Sequence, residues 1–306
     1  MTSKRIINIG SRASKLALVQ TNFVKQNLEF LFPEYIYNIK EIQTKGDKIL
    51  SVSLSAIGDK GLFTQELESA ILSKEIDFAV HSLKDMPTSL PEGLTIQAVT
   101  ERENPQDVLI SNYKFLDLPS GAKVGTSSLR RRAQLINLRD DLDYIDIRGN
   151  LNTRLKKLDD ELYDAIVLAY AGVRRLNLQN RISDTFDYNQ VIPAAGQGAL
   201  AIETRQDDDF INPIITSLNH HSTSITTCAE RTFLAEMQGG CQVPIGAIAQ
   251  LNDDTITLTA FISSLDGKTF YKSTKAATDP VLLGKSLADE LKNMGADVII
   301  EQLMRK

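Results

Sequence analysis

The run His81-Ser-Leu-Lys-Asp85 follows the apolar stretch Ile76-Asp-Phe-Ala-Val80, whose pattern predicts a buried strand. In α/β sheets the carboxyl ends of strands line the ligand crevice. Asp85 would then serve as a general acid/base or stabilise a developing cation. Lys84 beside it suits an anionic group, and a surface salt pair is the plain alternative. His81 reads as a structural hydrogen-bonding residue. With three histidines in the chain and no paired ligands, no metal site is expected. A second chemistry lies in arginine: Arg130, Arg131, Arg132, Arg148, Arg154, Arg174 and Arg175 fall within one stretch. The planar guanidinium fork matches a carboxylate or phosphate in bidentate fashion. Ser11 and Thr126 to Ser128 stand where helices are expected to begin, and free N–H groups there favour an anion. Helix capping by the same hydroxyls is the alternative for each of them. A third chemistry is the thiol of Cys241, which follows two glycines and precedes Gln242 and Pro244. A thiol on such a loop is a nucleophile or an attachment point. No Cys-His-Asn arrangement accompanies it, which favours attachment. Cys228 lies in a helical run and reads as a small packing residue.

Composition narrows the ligand. The 306 residues carry 34 Lys and Arg against 39 Asp and Glu, a net charge of −5. Between Gly121 and Ile182, however, twelve Lys and Arg face eight Asp and Glu. A net acidic chain with one basic stretch fits a small polyanion and not nucleic acid, which needs extended basic surface. Two cysteines make no disulfide scaffold, so a reducing cytoplasm is the expected compartment. The apolar run near the start, Ile6-Ile7 and Ile9, is too short for a signal core, and the longest run, Ala165 to Val173, is far below a membrane span, so no membrane association is expected.

The elements that must position these groups alternate. A strand at Arg5–Gly10 leads to a helix with Leu16, Val19, Phe23 and Leu28 on one face. A strand at Tyr35–Ile42, a helix at Phe63–Leu72 and the strand at Ile76–Val80 follow. The same grammar returns with a strand at Ala122–Gly125, helices at Leu129–Leu138 and Leu151–Leu162, and strands at Tyr144–Ile147 and Tyr163–Leu168. Strands separated by helices argue for parallel βαβ units, and the repeated order argues for two similar α/β modules around a cleft. Asn219–Ser222 reads as a linker. Beyond it come a helix at Thr226–Met237, strands at Ala247–Leu251, Thr255–Ser263 and Thr269–Thr274, and a last helix from Pro280 to Met294, a small α+β domain.

Eight segments, taken in order, resemble the porphobilinogen deaminase (hydroxymethylbilane synthase) family. They are Thr44-Lys-Gly-Asp47, Asp59-Lys-Gly-Leu-Phe-Thr-Gln-Glu-Leu67, Ala79-Val-His-Ser-Leu-Lys-Asp-Met-Pro87, Val124-Gly-Thr-Ser-Ser-Leu-Arg-Arg131, Arg148-Gly-Asn150, Thr153-Arg-Leu155, Pro193-Ala-Ala-Gly-Gln-Gly-Ala199 and Gly239-Gly-Cys-Gln-Val-Pro-Ile-Gly246. The resemblance implies two periplasmic-binding-protein-like (type II) α/β domains plus a C-terminal α+β domain with a three-stranded antiparallel sheet. The domains would be 1–99 with 200–218, 100–199, and 219–306. It implies stepwise condensation of four porphobilinogen units with loss of ammonia, releasing hydroxymethylbilane for tetrapyrrole synthesis. It also implies a dipyrromethane cofactor held by a thioether to Cys241, and a cytoplasmic monomer. By motif, Asp85 would be catalytic. Lys84, Ser82, Thr126, Ser128, Arg130, Arg131, Arg148, Arg154 and Gln197 would hold the cofactor. Arg12, Ser14, Arg148, Arg154, Arg175 and Lys60 would hold substrate carboxylates, and Lys48–Lys60 would cover the cleft. Ala56 stands where many members carry lysine, and Lys45 where some carry arginine, which leaves Lys60 as the cover's cation. Two α/β modules around an anion cleft would equally describe a binding receptor, although such a receptor has no use for Gly-Gly-Cys.

Overall fold

The computed structural model describes residues 4–48, 62–238 and 243–304. Cys241, Ala56, Lys60 and nearly all of the expected cover segment lie outside them. The chain divides into two compact units, residues 1–103 with 198–224, and residues 104–197 with 225–306.

In the first unit β1 (Ile6–Arg12), β2 (Ile36–Ile42), β3 (Phe78–Ser82), β4 (Leu94–Val99) and β10 (Leu200–Arg205) form one sheet in the order β2-β1-β3-β10-β4. The first three strands are parallel, as the alternation predicts. β10 runs antiparallel between β3 and β4, so the sheet is mixed and not wholly parallel. α1 (Lys15–Leu31) covers one face, where Val24 and Leu28 meet Ile7, Ile9, Phe78 and Val80. α2 (Gln65–Leu72) covers the other through Leu67, Ala70 and Ile71 against Ile76 and Ala79. Every strand of this sheet therefore alternates its side chains between two helical layers.

The buried face of α1 is Ala17, Gln20, Thr21, Val24 and Leu28. Leu16 and Val19 are half-buried and Phe23 is 49% exposed, so the apolar spacing put the stripe one position away from where it lies. The reason is local: at its start the helix faces polar groups, and Thr21 donates to Ser11 Oγ at 2.9 Å. Ser11 itself is inside β1 and fully buried, not at a helix start. Ser14 is the cap of α1, its hydroxyl accepting from Ala17 N at 3.3 Å.

In the second unit β5 (Asp107–Ser111), β6 (Lys123–Gly125), β7 (Asp143–Ile145), β8 (Ala165–Ala169) and β9 (Asp184–Thr185) form a sheet in the order β7-β6-β8-β5-β9. It repeats the first order, with β5 antiparallel to β8. α3 (Leu129–Leu138) lies on one face, and α4 (Leu151–Asp159) and α5 (Tyr170–Arg175) on the other. The α/β class with two equivalent sheets is thus as expected. α6 (Ile211–Thr216) returns to the first sheet, covering it with Ile211, Ile214 and Ile215.

α7 (His221–Glu236) begins where a linker was expected; His221 and Ser222 already belong to it. β11 (Ile245–Asn252), β12 (Thr255–Ser263) and β13 (Phe270–Ala277) make the three-stranded antiparallel meander. α7 and α8 (Pro280–Leu291) pack on it through Ala229, Phe233, Leu283, Leu287 and Leu291. Asp279 caps α8 through Leu282 N, with Pro280 in the first turn. The last helix breaks at Gly295, whose φ of +112° no L side chain adopts readily, and α9 (Asp297–Met304) follows.

Candidate functional site

β3 ends at Ser82, and the next three residues, Leu83–Asp85, turn through one 3-10 turn. That turn leaves Asp85 exposed at the edge of a small pocket while Leu83 anchors it in the core. The pocket is lined by Arg12, Gln20, Phe63, His81, Ser82 and Asp85, together with Thr64 and two small apolar side chains. Arg12 comes from the end of β1, and its guanidinium lies 4.2 Å over the Phe63 ring. Gln20 Nε2 donates to Ser82 Oγ at 2.9 Å. The first unit thus joins Arg12, Ser82 and Asp85 of the expected residues. Lys84 is half-buried next to Asp85, and Ser14 caps α1 within the same strand-to-helix junction.

The pocket also holds residues that motif reading did not assign to it, Gln20, Phe63, Thr64 and His81 among them. Gln20 sits on the buried polar stripe of α1, and its signal was a glutamine at core spacing. Phe63 precedes α2 and stood inside a recognised motif, but only as part of a helical face.

In the second unit the arrangement is centred on a residue the sequence did not single out. Asp107 opens β5 and is wholly buried. Arg131 donates to its Oδ1 from Nε at 3.0 Å and Nη2 at 2.7 Å, and to Val167 O from Nη1 at 2.9 Å. Arg130 Nη1 lies 2.7 Å from Asp107 Oδ2 and donates to Ile192 O at 2.7 Å. Gln197 Nε2 adds a third contact to Asp107 Oδ1 at 3.0 Å and donates to Pro105 O at 2.6 Å. Burial alone would raise the Asp107 carboxyl, but the two guanidinium groups hold it far below the carboxylate range. The Arg130 guanidinium is lowered by its own burial, and Asp107 works against that shift while Arg131 adds to it. Two buried cations thus share one anion. Among the described residues this cluster is one negative charge short of balance, and an isolated buried charge is costly.

The remaining expected residues of this unit lie around the start of α3, around the start of α4 and at the end of α5, and Thr126 is buried. Thr126 Oγ1 accepts from Ser128 N at 3.3 Å, and Ser128 caps α3 by accepting from Arg131 N at 3.4 Å. Ser127 Oγ donates to Ile147 O at 2.8 Å, tying the start of α3 to the segment just after β7. Arg148 precedes the turn at Gly149–Asn150, and Arg154 Nε donates to Gly149 O at 2.8 Å from α4. Asn150 caps α4 by accepting from Thr153 N at 3.0 Å. Arg175 is half-buried in the last turn of α5. Glu230 of α7, buried, accepts from Gly196 N at 2.7 Å and Ala249 N at 2.8 Å, which fixes the loop that carries Gln197. Cys228, also on α7, is half-buried. Among the described residues no helix is long and apolar enough to cross a membrane.

Residues 7–213 match the family model described as "Porphobilinogen deaminase, dipyromethane cofactor binding domain". Residues 224–293 match "Porphobilinogen deaminase, C-terminal domain". The chain is 48% identical over 306 residues to a porphobilinogen deaminase of Carboxydothermus hydrogenoformans, covering 99% of this chain and 98% of that one. It is 49% identical over 310 residues to a porphobilinogen deaminase of Chlorobium chlorochromatii, covering 99% of each. Among solved structures it is similar to the periplasmic VFT2 domain of Bordetella pertussis BvgS, at 12% identity and a TM-score of 0.43, over 71% of this chain and 88% of that one.

Proposed function

The chain belongs to the porphobilinogen deaminase family, and from that premise we propose that it condenses four porphobilinogen molecules head to tail, with loss of ammonia at each step, and releases hydroxymethylbilane. The observation that carries this reading is the buried pair Arg130 and Arg131 sharing the one carboxylate of Asp107. A polycarboxylate supplies the missing charge, and a pyrrole bearing acetate and propionate side chains is one. These residues fit dipyrromethane: each guanidinium keeps N–H donors beyond those already used, in a setting where charge-assisted bonds are strong. By the family resemblance, Thr126, Ser128, Arg148, Arg154, Gln197, Ser82 and Lys84 would complete the hold and Cys241 would form the thioether. When bound, that group would supply the free pyrrole carbon that accepts the first unit, each later unit joining the one added before it.

The chain's own residues do the rest. Asp85, exposed on its turn, hydrogen-bonds pyrrole N–H groups and stabilises the positive charge that develops as ammonia departs. Arg12, held over Phe63, Ser14 and Arg175 receive the carboxylates of the incoming unit, and Lys60 adds a cation. The reading includes three domains, 1–99 with 200–218, 100–199, and 219–306, in a cytoplasmic monomer. Two cysteines in 306 residues are in keeping with a reducing compartment.

The test is an intact mass. The purified active protein is expected to be heavier than its sequence by two linked pyrrole units, and Cys241→Ser to lose both that mass and the activity. An unmodified mass in active protein overturns the tether. Asp85→Asn is expected to keep the added mass and nearly abolish turnover, and near-parental turnover removes Asp85 from the chemistry.

A further inference from the structure

Three buried titratable side chains have no part in the steps above: His81 on β3, which lines the pocket, and Glu203 on β10 and Glu68 on α2. His81 Nε2 and Glu203 Oε2 are 3.0 Å apart, with side chains 3% and 0% exposed. The register explains the meeting. Across the antiparallel pair His81 stands opposite Ala201, and Glu203 stands opposite Ala79, so the two side chains share one face of the sheet as diagonal neighbours.

The end of β3 needs such a bond. β1 pairs with β3 only at Phe78 and Ala79, so Val80, His81 and Ser82 run on with β10 as their sole described strand partner. From this one-sided tip hang Ser82 and the turn that presents Asp85. The tip is gripped from both faces: Gln20 holds Ser82 on the α1 side, and Glu203 holds His81 on the α2 side. For the fold alone this is an expensive choice, because apolar residues of similar volume serve as well as or better than a buried ionisable pair. Glu68 adds to the expense. Its carboxyl is pushed up by burial, and Glu203 pushes it further. Other charged groups of this face include Glu66 on α2, Arg12 at the end of β1, Asp77 just before β3, and Arg205 on β10, whose guanidinium lies 3.9 Å from Asp77. Arg205 is engaged with Ile71 O, Ile76 O and Asp208 at the far end of the strand.

We propose that His81 and Glu203 are a positioning pair, whose bond across β3 and β10 fixes the strand tip that carries Ser82 and Asp85 and thereby sets the rate of condensation. Neither residue reacts; each acts through Asp85. The proposal rests on the condensing function proposed above, with Asp85 at its centre. Parental protein turning over porphobilinogen in the same assay keeps the two separable, because an inactive parent would sink that function and leave the pair unaddressed.

The experiment replaces the pair by apolar residues, His81→Leu with Glu203→Leu in one full-length chain. Cofactor loading is read by intact mass, folding by thermal melt, and kcat and KM with porphobilinogen as substrate. The expected protein melts at or above the parent temperature and carries the added mass. Its kcat falls at least tenfold and its KM stays within threefold. Glu203→Gln, which keeps an oxygen to accept from His81 Nε2, is expected to recover kcat to within threefold of the parent. A folded, loaded double variant with kcat within twofold of the parent overturns the proposal, since a purely structural pair would be replaced without loss of rate. If the apolar pair does not fold, Glu203→Asp carries the same reading: it withdraws the carboxylate by one methylene, and an unchanged kcat overturns the proposal.

Discussion

Asp107 is one carboxylate balancing two guanidinium groups in the core, and the consequences of removing it are steep. Asp107→Asn leaves Arg130 and Arg131 as neighbouring buried cations. Breaking a buried pair by deleting one partner costs about 3–5 kcal/mol. Urea denaturation is expected to show a lower midpoint at an unchanged slope, and the intact mass to show protein without the added pyrrole units. Glu68 behaves in the opposite sense with pH. Its folded carboxyl titrates above its ordinary value of 4.5, chiefly because it is buried. The stability associated with it is therefore fully present below that value and is lost as pH rises toward the folded value. Glu68→Gln mimics the protonated form. It is expected to match the parent near pH 4 and to exceed it near pH 7.5, by chemical denaturation at both pH values; a gap that closes with rising pH refutes the assignment. At this scale the sequence disclosed residue types well and partners poorly. Arg130 and Arg131 were legible as anion binders, but that both first meet Asp107, more than twenty residues upstream, depends on β5 lying beside β8. The only local sign was an acidic residue opening the apolar run Val108-Leu-Ile110.

Among the elements, helices were placed closely and their faces less so. Leu129–Leu138 is helical as periodicity and the Ser128 cap predict. In α1 the apolar residues misled, because the inward stripe includes Gln20 and Thr21, which serve Ser82 and Ser11 instead of the core. A hydrophobic pattern cannot report a face whose partners are polar. The contact between α7 and α8 has a simpler cause. A Cβ added at Gly284 would stand 2.7 Å from Ala229 O and 2.9 Å from Phe233 N. Gly284→Ala must push the helices apart, and overpacking of this kind costs about 1–3 kcal/mol. A thermal melt of the variant is expected to fall accordingly. An unchanged melting temperature would mean that the helices part without strain.

For the whole molecule, the repeat was visible because both modules begin with a short strand ending in glycine and later carry a buried strand of similar pattern. What escaped was the antiparallel member of each sheet. β10 and β5 look like any short apolar run, and nothing local reveals that β10 slots between β3 and β4 from a hundred residues away. That insertion orders events during synthesis. When Val99 has emerged, β3 and β4 exist but the strand that joins them does not, and the first sheet remains open at its centre. The ribosome must add roughly 100 residues more, on the order of 5–20 s at ordinary elongation rates, before Leu200–Arg205 can close it. The second sheet, whose strands all lie between Asp107 and Thr185, is fully synthesised in the meantime. The first part of the chain to be made is therefore the last α/β sheet able to finish folding, and during that interval two unpaired strand edges depend on the nascent chain's surroundings to keep them from pairing elsewhere.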